Sequence, residues 1–266
     1  MCTEMINRVI ISGAKGFVGK NLRKFLSKNK IISIPLSRNN FKKNQFPSLK
    51  NASHFVHLAG IGSESIDQDS FAKVNIELTK TVINLCKKNN VENIIYFSGL
   101  GVSKNSRSSY FISKFNAEQL IKKSGLQYTI FRPSYILGAD DYLTKNISKQ
   151  ILIPGSGNFI LQPISIDDVC LCINDALHYS KFLNKTIDLV GPKKLLFQKL
   201  IKKSISSKIK IKKINLELAY QKALNDTNFE YGVEELNILV GNYVGNHKKL
   251  QNLCGFKFKN IESLNT

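Results

Sequence analysis

The chain has 266 residues, 42% hydrophobic and 22% charged, which suits one sizeable folded core and excludes a disordered or low-complexity chain. No uninterrupted apolar run approaches the roughly 18 residues that cross a bilayer, and the five cysteines (Cys2, Cys86, Cys170, Cys172, Cys254) form no C-x-x-C pair or zinc spacing. The formal charge of +20 invites a nucleic-acid role, but the lysines come as scattered pairs such as Lys42-Lys43, Lys87-Lys88 and Lys212-Lys213. No basic block and no aromatic interleaving accompanies them, so an anionic small molecule is the expected partner and no specific nucleic acid is.

The first element is an apolar strand, Arg8–Ser12, that runs into Gly13-x-x-Gly16-x-x-Gly19 and then a helix from about Phe17 to Asn29. This order builds a phosphate site from backbone. Gly13 permits the tight turn, Gly16 lets the main chain approach a pyrophosphate, and Gly19 lets the helix pack against the strand. The first-turn N–H groups, those of Phe17 and Val18 among them, then face the anion with a favourable dipole.

A second strand is expected over Ile31–Leu36 and ends at Ser37-Arg38. An acid here would bind the ribose hydroxyls of NAD. A hydroxyl and a guanidinium suit a 2′-phosphate instead, and Lys15 adds a cation nearby, so NADP(H) is preferred over NAD(H). A third strand, His54–Leu58, leads into Ala59-Gly60, small residues that let the chain pass beneath a dinucleotide. His57 reads as a packed or backbone-bonded histidine. A helix over about Ser70–Asn89, a strand over Ile94–Ser98, a helix over Ser109–Lys123 and a strand over Tyr128–Arg132 follow. The alternation predicts an α/β fold: a Rossmann-type, doubly wound parallel sheet with helices on both faces, and ligands at the carboxyl edge.

Tyr110 and Lys114 stand at i and i+4 and project from one helix face. An ammonium beside a phenol favours the phenolate, so the pair can pass a proton to or from a hydroxyl while a nicotinamide exchanges hydride. The Asp167-Asp168 pair reads better as a helix N-terminus stabilised by the dipole than as a carboxylate dyad. Helical patterns recur over Leu216–Leu224 and Phe229–Leu239, and Asn252–Phe258 is expected to close against the substrate side.

The ordered set GAKGFVG, HLAG, Asn75 in VNIELTKTVINLC, YFISK, FRPSYILG and QPISIDDVC resembles the short-chain dehydrogenase/reductase superfamily, in its extended or atypical branch of NAD-dependent epimerase/dehydratase type. SGLGVS, SSYFISKFNAEQLIKKSG and DLVGPKKLLFQKLIKK make it most similar, within that branch, to the NADPH-binding accessory subunit of respiratory complex I and its prokaryotic relatives. The resemblance covers about residues 6–203.

It implies one NAD(P)-binding domain over 1–266, with a small C-terminal substrate lobe from about 136–165 and 190–266. It implies that Gly13, Gly16 and Gly19 hold the pyrophosphate, that Ser37 and Arg38 lie by the adenosine ribose, and that Leu58, Ala59 and Gly60 line the cofactor's path with support from Asn75. Tyr110 is then the proton donor or acceptor, and Lys114 binds the nicotinamide ribose and lowers the tyrosine pKa. Pro133 and Ser134 flank the carboxamide, and Ser98 is the catalytic hydroxyl that also meets the cofactor. The strip Ser98-Gly99-Leu100-Gly101-Val102-Ser103 departs from the family's hydroxyl-rich pattern, with Leu100 where a hydroxyl is expected.

The expected function is an oxidoreductase or epimerase that transfers hydride at a hydroxyl or carbonyl of a small substrate, a nucleotide sugar being the commonest class in the branch. The alternative is a non-catalytic NADPH-binding structural or redox-sensing subunit. No metal is implied. A cytoplasmic location is expected, since Glu4 and the immediate first strand leave no signal peptide, and a homodimer is one assembly open to the chain.

Overall fold

The computed structural model describes residues 6–64, 70–141, 150–204 and 210–260. Six strands form a parallel sheet: β1 (Arg8–Ser12), β2 (Ile32–Leu36), β3 (His54–His57), β4 (Asn93–Phe97), β5 (Gln127–Pro133) and β10 (Lys185–Leu189). Their spatial order is β2-β1-β3-β4-β5-β10. From β1 the chain first steps outward to β2 and then crosses back to β3 on the other side. The topological switch therefore lies between the carboxyl ends of β1 and β3, where an open α/β sheet leaves its ligand crevice.

Both faces of the sheet are covered, which explains why its strands read as near-continuous apolar runs. Val9, Ile11, Val56, Ile95 and Phe131 face α1 (Phe17–Lys28) and α5 (Ile166–His178), while Ile10, Phe55, Ile94 and Ile130 face α3 (Leu78–Lys88) and α4 (Ser109–Lys122). The two faces alternate residue by residue along each strand. At the outer edge, Ile32 N–H bonds the Asn7 carbonyl, and β2 carries Pro35 beside Ile11.

Two elements differ from the sequence reading. Ser37-Arg38, which follows the second strand, opens a helix not expected there, α2 (Arg38–Lys43), with the Ser37 backbone N–H donating to Asn40 Oδ1 at 2.7 Å. The helix expected from Ser70 begins as a π-helical stretch, Ala72–Glu77, before it becomes α3. A single turn of this kind is often found at functional sites.

The later residues carry their own apolar cluster, with Ile151, Ile153, Leu161, Phe197, Leu200 and Ile201 buried together. Here β7 (Gln150–Pro154) pairs with β12 (Lys210–Ile214), and β8 (Ile160–Leu161) with β11 (Leu195–Leu196). The short strands β6 (Ile136–Leu137) and β9 (Ile164–Ser165) pair beside them, and α6 (Phe197–Ser204) completes the group. The helices α7 (Leu216–Asn225), α8 (Val233–Leu239) and α9 (His247–Leu253) follow.

The segment after α9 does not close the substrate side as expected. Cys254 and Phe258 are apolar enough to join the core on α5, where Gly255 N–H bonds Asp175 and Lys259 N–H bonds Asp168. Asp167 and Asp168 stand in the first turn of α5, and Asp167 pairs with Lys259 at 2.6 Å. They hold Lys259 at a helix N-terminus.

Candidate cofactor cleft and Tyr110 site

Gly13 leaves β1 with φ +69, and a Cβ there would fall 2.7 Å from the Ala59 nitrogen. The turn therefore needs a residue with neither Cβ nor a handed backbone. The Gly16 N–H donates to the Gly13 carbonyl at 3.0 Å, and Gly16 opens α1 with no side-chain cap. No acid stands in the first turn. That helix end offers its N–H groups to an anion from outside. Gly19 packs directly on Gly13 and Ala14.

A cleft of about 610 Å³ opens at this switch point. Of the residues expected from sequence, Gly13, Lys15, Gly16, Ser37, Arg38, Ala59 and Gly60 all line it. Phe17, Val18 and Leu58 pack their side chains against the core. Sequence reasoning missed Lys42, Lys73 and Glu77 as lining residues. Lys42 was visible only as one of many lysine pairs, and Lys73 and Glu77 lie on the π-helical stretch.

The floor of the cleft is held by a polar chain. Ala59 N–H reaches Ser12 Oγ at 3.5 Å, Ser12 Oγ lies 2.7 Å from His57 Nδ1, and His57 Nε2 lies 3.1 Å from Thr79 Oγ1. Thr79 spends its proton on the Asn75 carbonyl. Its oxygen must then accept from Nε2–H, which leaves Nδ1 bare to accept from Ser12. Burial, aided by Lys114, holds this histidine neutral, its pKa lowered to about 3. His57 is thus a structural bridge from β1 to α3.

Asn75 joins this cleft to the Tyr110 helix. Its Oδ1 accepts from Ile61 N–H at 3.1 Å, and its Nδ2 donates to the Ile61 carbonyl and to Ser113 Oγ at 2.9 Å. Gly60 passes so close that a Cβ would lie 3.1 Å from Asn75 Oδ1 and 3.3 Å from Lys114 Nζ. Lys114 is buried, donates to the Phe97 carbonyl at 2.6 Å and lies 4.5 Å from the Tyr96 ring centre. Desolvation pulls its pKa down to about 7, partly opposed by Glu118.

Tyr110 is half-buried between Phe71 and Phe111, and its hydroxyl lies 3.6 Å from where a Gly99 Cβ would sit. The expected lowering of its pKa is not what this environment gives: burial pushes the phenol up to about 12. An amine that burial itself neutralises offers little field to oppose it.

Ser98 is placed otherwise than its expected role requires. Its hydroxyl donates to the buried Glu118 at 2.6 Å, and Glu118 also takes Arg132 in a bidentate pair. Pro133 and Ser134 end β5, but Ser134 Oγ donates to the Tyr243 carbonyl and accepts from Gln162 N–H. Among the described residues no cluster of metal-ligating side chains occurs.

A family described as NAD(P)H-binding matches residues 49–178, a stretch that begins after the glycine turn. The 40 kDa subunit of mitochondrial NADH-ubiquinone oxidoreductase from Neurospora crassa is 27% identical over 126 residues, which are 47% of this chain and 34% of that subunit. The chain thus spans about a third of that relative's length. Prestalk A differentiation protein A from Dictyostelium discoideum is 24% identical over 82% of this chain and 76% of its own. Among solved structures, MoeE5 in complex with UDP-glucuronic acid and NAD superposes with a TM-score of 0.71 at 15% identity, covering 96% of this chain and 94% of that one. A nucleoside-diphosphate-sugar epimerase from Staphylococcus aureus gives a TM-score of 0.71 at 16% identity, covering 96% and 98%. A glycine turn at the sheet's switch point, a cleft over it, the NAD(P)H-binding match over residues 49–178 and the shared Rossmann-type fold make the chain similar to nicotinamide-dinucleotide-binding proteins of the extended short-chain dehydrogenase/reductase type.

Proposed function

We propose that the protein binds NADP(H) in preference to NAD(H) and reduces or oxidises a small carbonyl or hydroxyl compound. The observation that carries this reading is the contact between the two halves of the site. Lys114, on the helix of Tyr110, stands against Gly60 in the cofactor loop. Gly13, Gly16 and the open end of α1 would hold the pyrophosphate. Lys15, Arg38, Lys42 and Lys73 line the cleft and would receive a 2′-phosphate. A nicotinamide bound there would supply or take hydride, and Tyr110 would give or take the proton at the substrate oxygen. Burial keeps that phenol protonated, so it is set to act as a donor toward a carbonyl.

The Ser98–Glu118 bond favours a second reading. With that hydroxyl committed, the substrate oxygen lacks the extra donor that would orient it, and the cofactor then serves stability or sensing. Titration with NADPH and NADH by nicotinamide fluorescence, followed by a panel of aldehydes, ketones and sugar nucleotides, separates the readings. Turnover that disappears in Tyr110→Phe upholds the first. Tight NADPH binding with no turnover anywhere in the panel overturns it in favour of the second.

A further inference from the structure

The glycines of the strip after β4 have a tenant of their own. Gly101 has φ +100, and a Cβ there would fall 2.7 Å from Tyr243 Cε1, so the tyrosine ring lies directly on the strip. The same ring stacks 5.8 Å from Phe111, whose other neighbour is Tyr110 at 5.2 Å. Phe111 thus separates two phenols that share one wall.

Tyr243 is built into place. Its N–H donates to the Ile160 carbonyl at 2.7 Å, its carbonyl accepts from Ser134 Oγ, and its hydroxyl donates to the Ile238 carbonyl. Two residues on, Gly245 N–H bonds Gln162 Oε1 at 3.0 Å, and Asn246 N–H bonds Asp188 at 3.1 Å. These ties run across the carboxyl ends of β5 and β10. Glu234, earlier in the same region, bonds Ser108 Oγ at 2.9 Å and the N–H groups of Ser109 and Tyr110. The later residues therefore grip the start of α4 and lay one aromatic ring on Gly101, two residues beyond the Gly99 that faces the Tyr110 hydroxyl.

We propose that Tyr243 is a specificity-determining residue of the Tyr110 site. Its ring takes the volume over Gly101 into which a large substituent would extend, and it limits the substrate to a short carbonyl or hydroxyl compound. A sugar nucleotide of the kind MoeE5 holds is shut out. This deepens the catalytic reading above and rests on it.

The test uses the full chain loaded with NADPH, as wild type and as Tyr243→Phe, Tyr243→Leu and Tyr243→Ala. Two readouts are taken: the ratio of kcat/KM for 2-naphthaldehyde to that for propanal, and the Kd of 2-naphthol, a probe that needs no turnover. The ratio is expected to rise about tenfold or more in the Leu and Ala variants, as one displaced ring's worth of pocket allows. The 2-naphthol Kd tightens in parallel, and Tyr243→Phe, which keeps the ring, keeps the wild-type size limit. Tyr243→Leu covers the case in which the Ala variant does not fold. An unchanged ratio and an unchanged 2-naphthol Kd across all four proteins overturn the proposal. If none of them consumes NADPH with either aldehyde, the catalytic reading alone fails, and the 2-naphthol affinities still decide whether Tyr243 is the wall.

Discussion

Ser98 gives its hydroxyl proton to Glu118 across 2.6 Å, and the same carboxylate holds Arg132 through bonds of 2.8 and 2.7 Å. The arrangement staples α4 to the ends of β4 and β5, four residues beyond Lys114. Ser98→Ala removes one bond to a charged group and is expected to cost about 2 kcal/mol in urea unfolding. Glu118→Gln leaves Arg132 with half its partner, and breaking a buried pair in this way costs about 3 kcal/mol or more. The two Kd values for NADPH distinguish a staple from a ligand: Ser98→Ala binds the cofactor as the wild type does.

Arg38 lines the cleft where the second strand ends. If it meets a 2′-phosphate, Arg38→Ala loses a charge-assisted contact worth about 1.5 to 3 kcal/mol, a tenfold or greater loss of NADPH affinity. NADH lacks that phosphate, so its affinity changes little. The measured quantity is the ratio of the two dissociation constants, which is expected to collapse toward one.

At Gly13 the objection to any side chain is double: φ is +69 and the space is filled by the Leu58–Ala59 backbone. Gly13→Ala is expected to destabilise the fold by about 2 kcal/mol through backbone strain and to abolish the rise in nicotinamide fluorescence on binding. Retained cofactor binding in this variant would place the pyrophosphate elsewhere.

Two buried histidines are expected to make stability fall in acid. Burial lowers His57 to about 3 and His54 to about 4, from an ordinary 6.5. Between those values and 6.5 the unfolded chain takes up protons that the folded chain refuses. Their contribution is therefore whole above pH 6.5 and is lost as pH falls, at about 1.4 kcal/mol per pH unit for each group. Urea midpoints from pH 7.5 to pH 4.5 should follow that slope, and His57→Gln should remove about half of it. Lys114, pulled down to about 7 from 10.5, acts with the same sign at higher pH. Stability gains as pH rises from 7 toward 10, and Lys114→Met should flatten that limb.

The parallel sheet and the cofactor turn were legible because the physics behind them is local. Val9-Ile10-Ile11 must be apolar on both sides of a covered sheet, and only glycine tolerates the Gly13 turn. α2 was not legible: Arg38-Asn-Asn-Phe-Lys-Lys has no apolar stripe, and its start rests on Asn40, whose Oδ1 accepts from both the N–H and the hydroxyl of Ser37. The π-helical stretch leaves no mark in hydrophobic periodicity, so Lys73 and Glu77 were missed. The Tyr110 side of the site is built from partners far apart in sequence. Glu234 meets Ser108 across 126 positions, and Ser134 meets Tyr243 across 109. No spacing rule reports contacts of that kind. Asn252–Phe258 was assigned to the wrong side for the same reason, since its apolar residues fit either surface.

Pro35 in the outermost strand has a bearing on how the molecule meets others of its kind. Ile32 turns its N–H inward to Asn7, and by the alternation of a parallel ladder Ser33 and Pro35 face outward. A proline there removes the donor that a strand from another molecule would need. The β2 edge is thereby a poorer template for a further strand, even though Ile32 leaves 60% of its surface exposed beside it. Crowding this chain to high concentration should therefore leave β2 unextended.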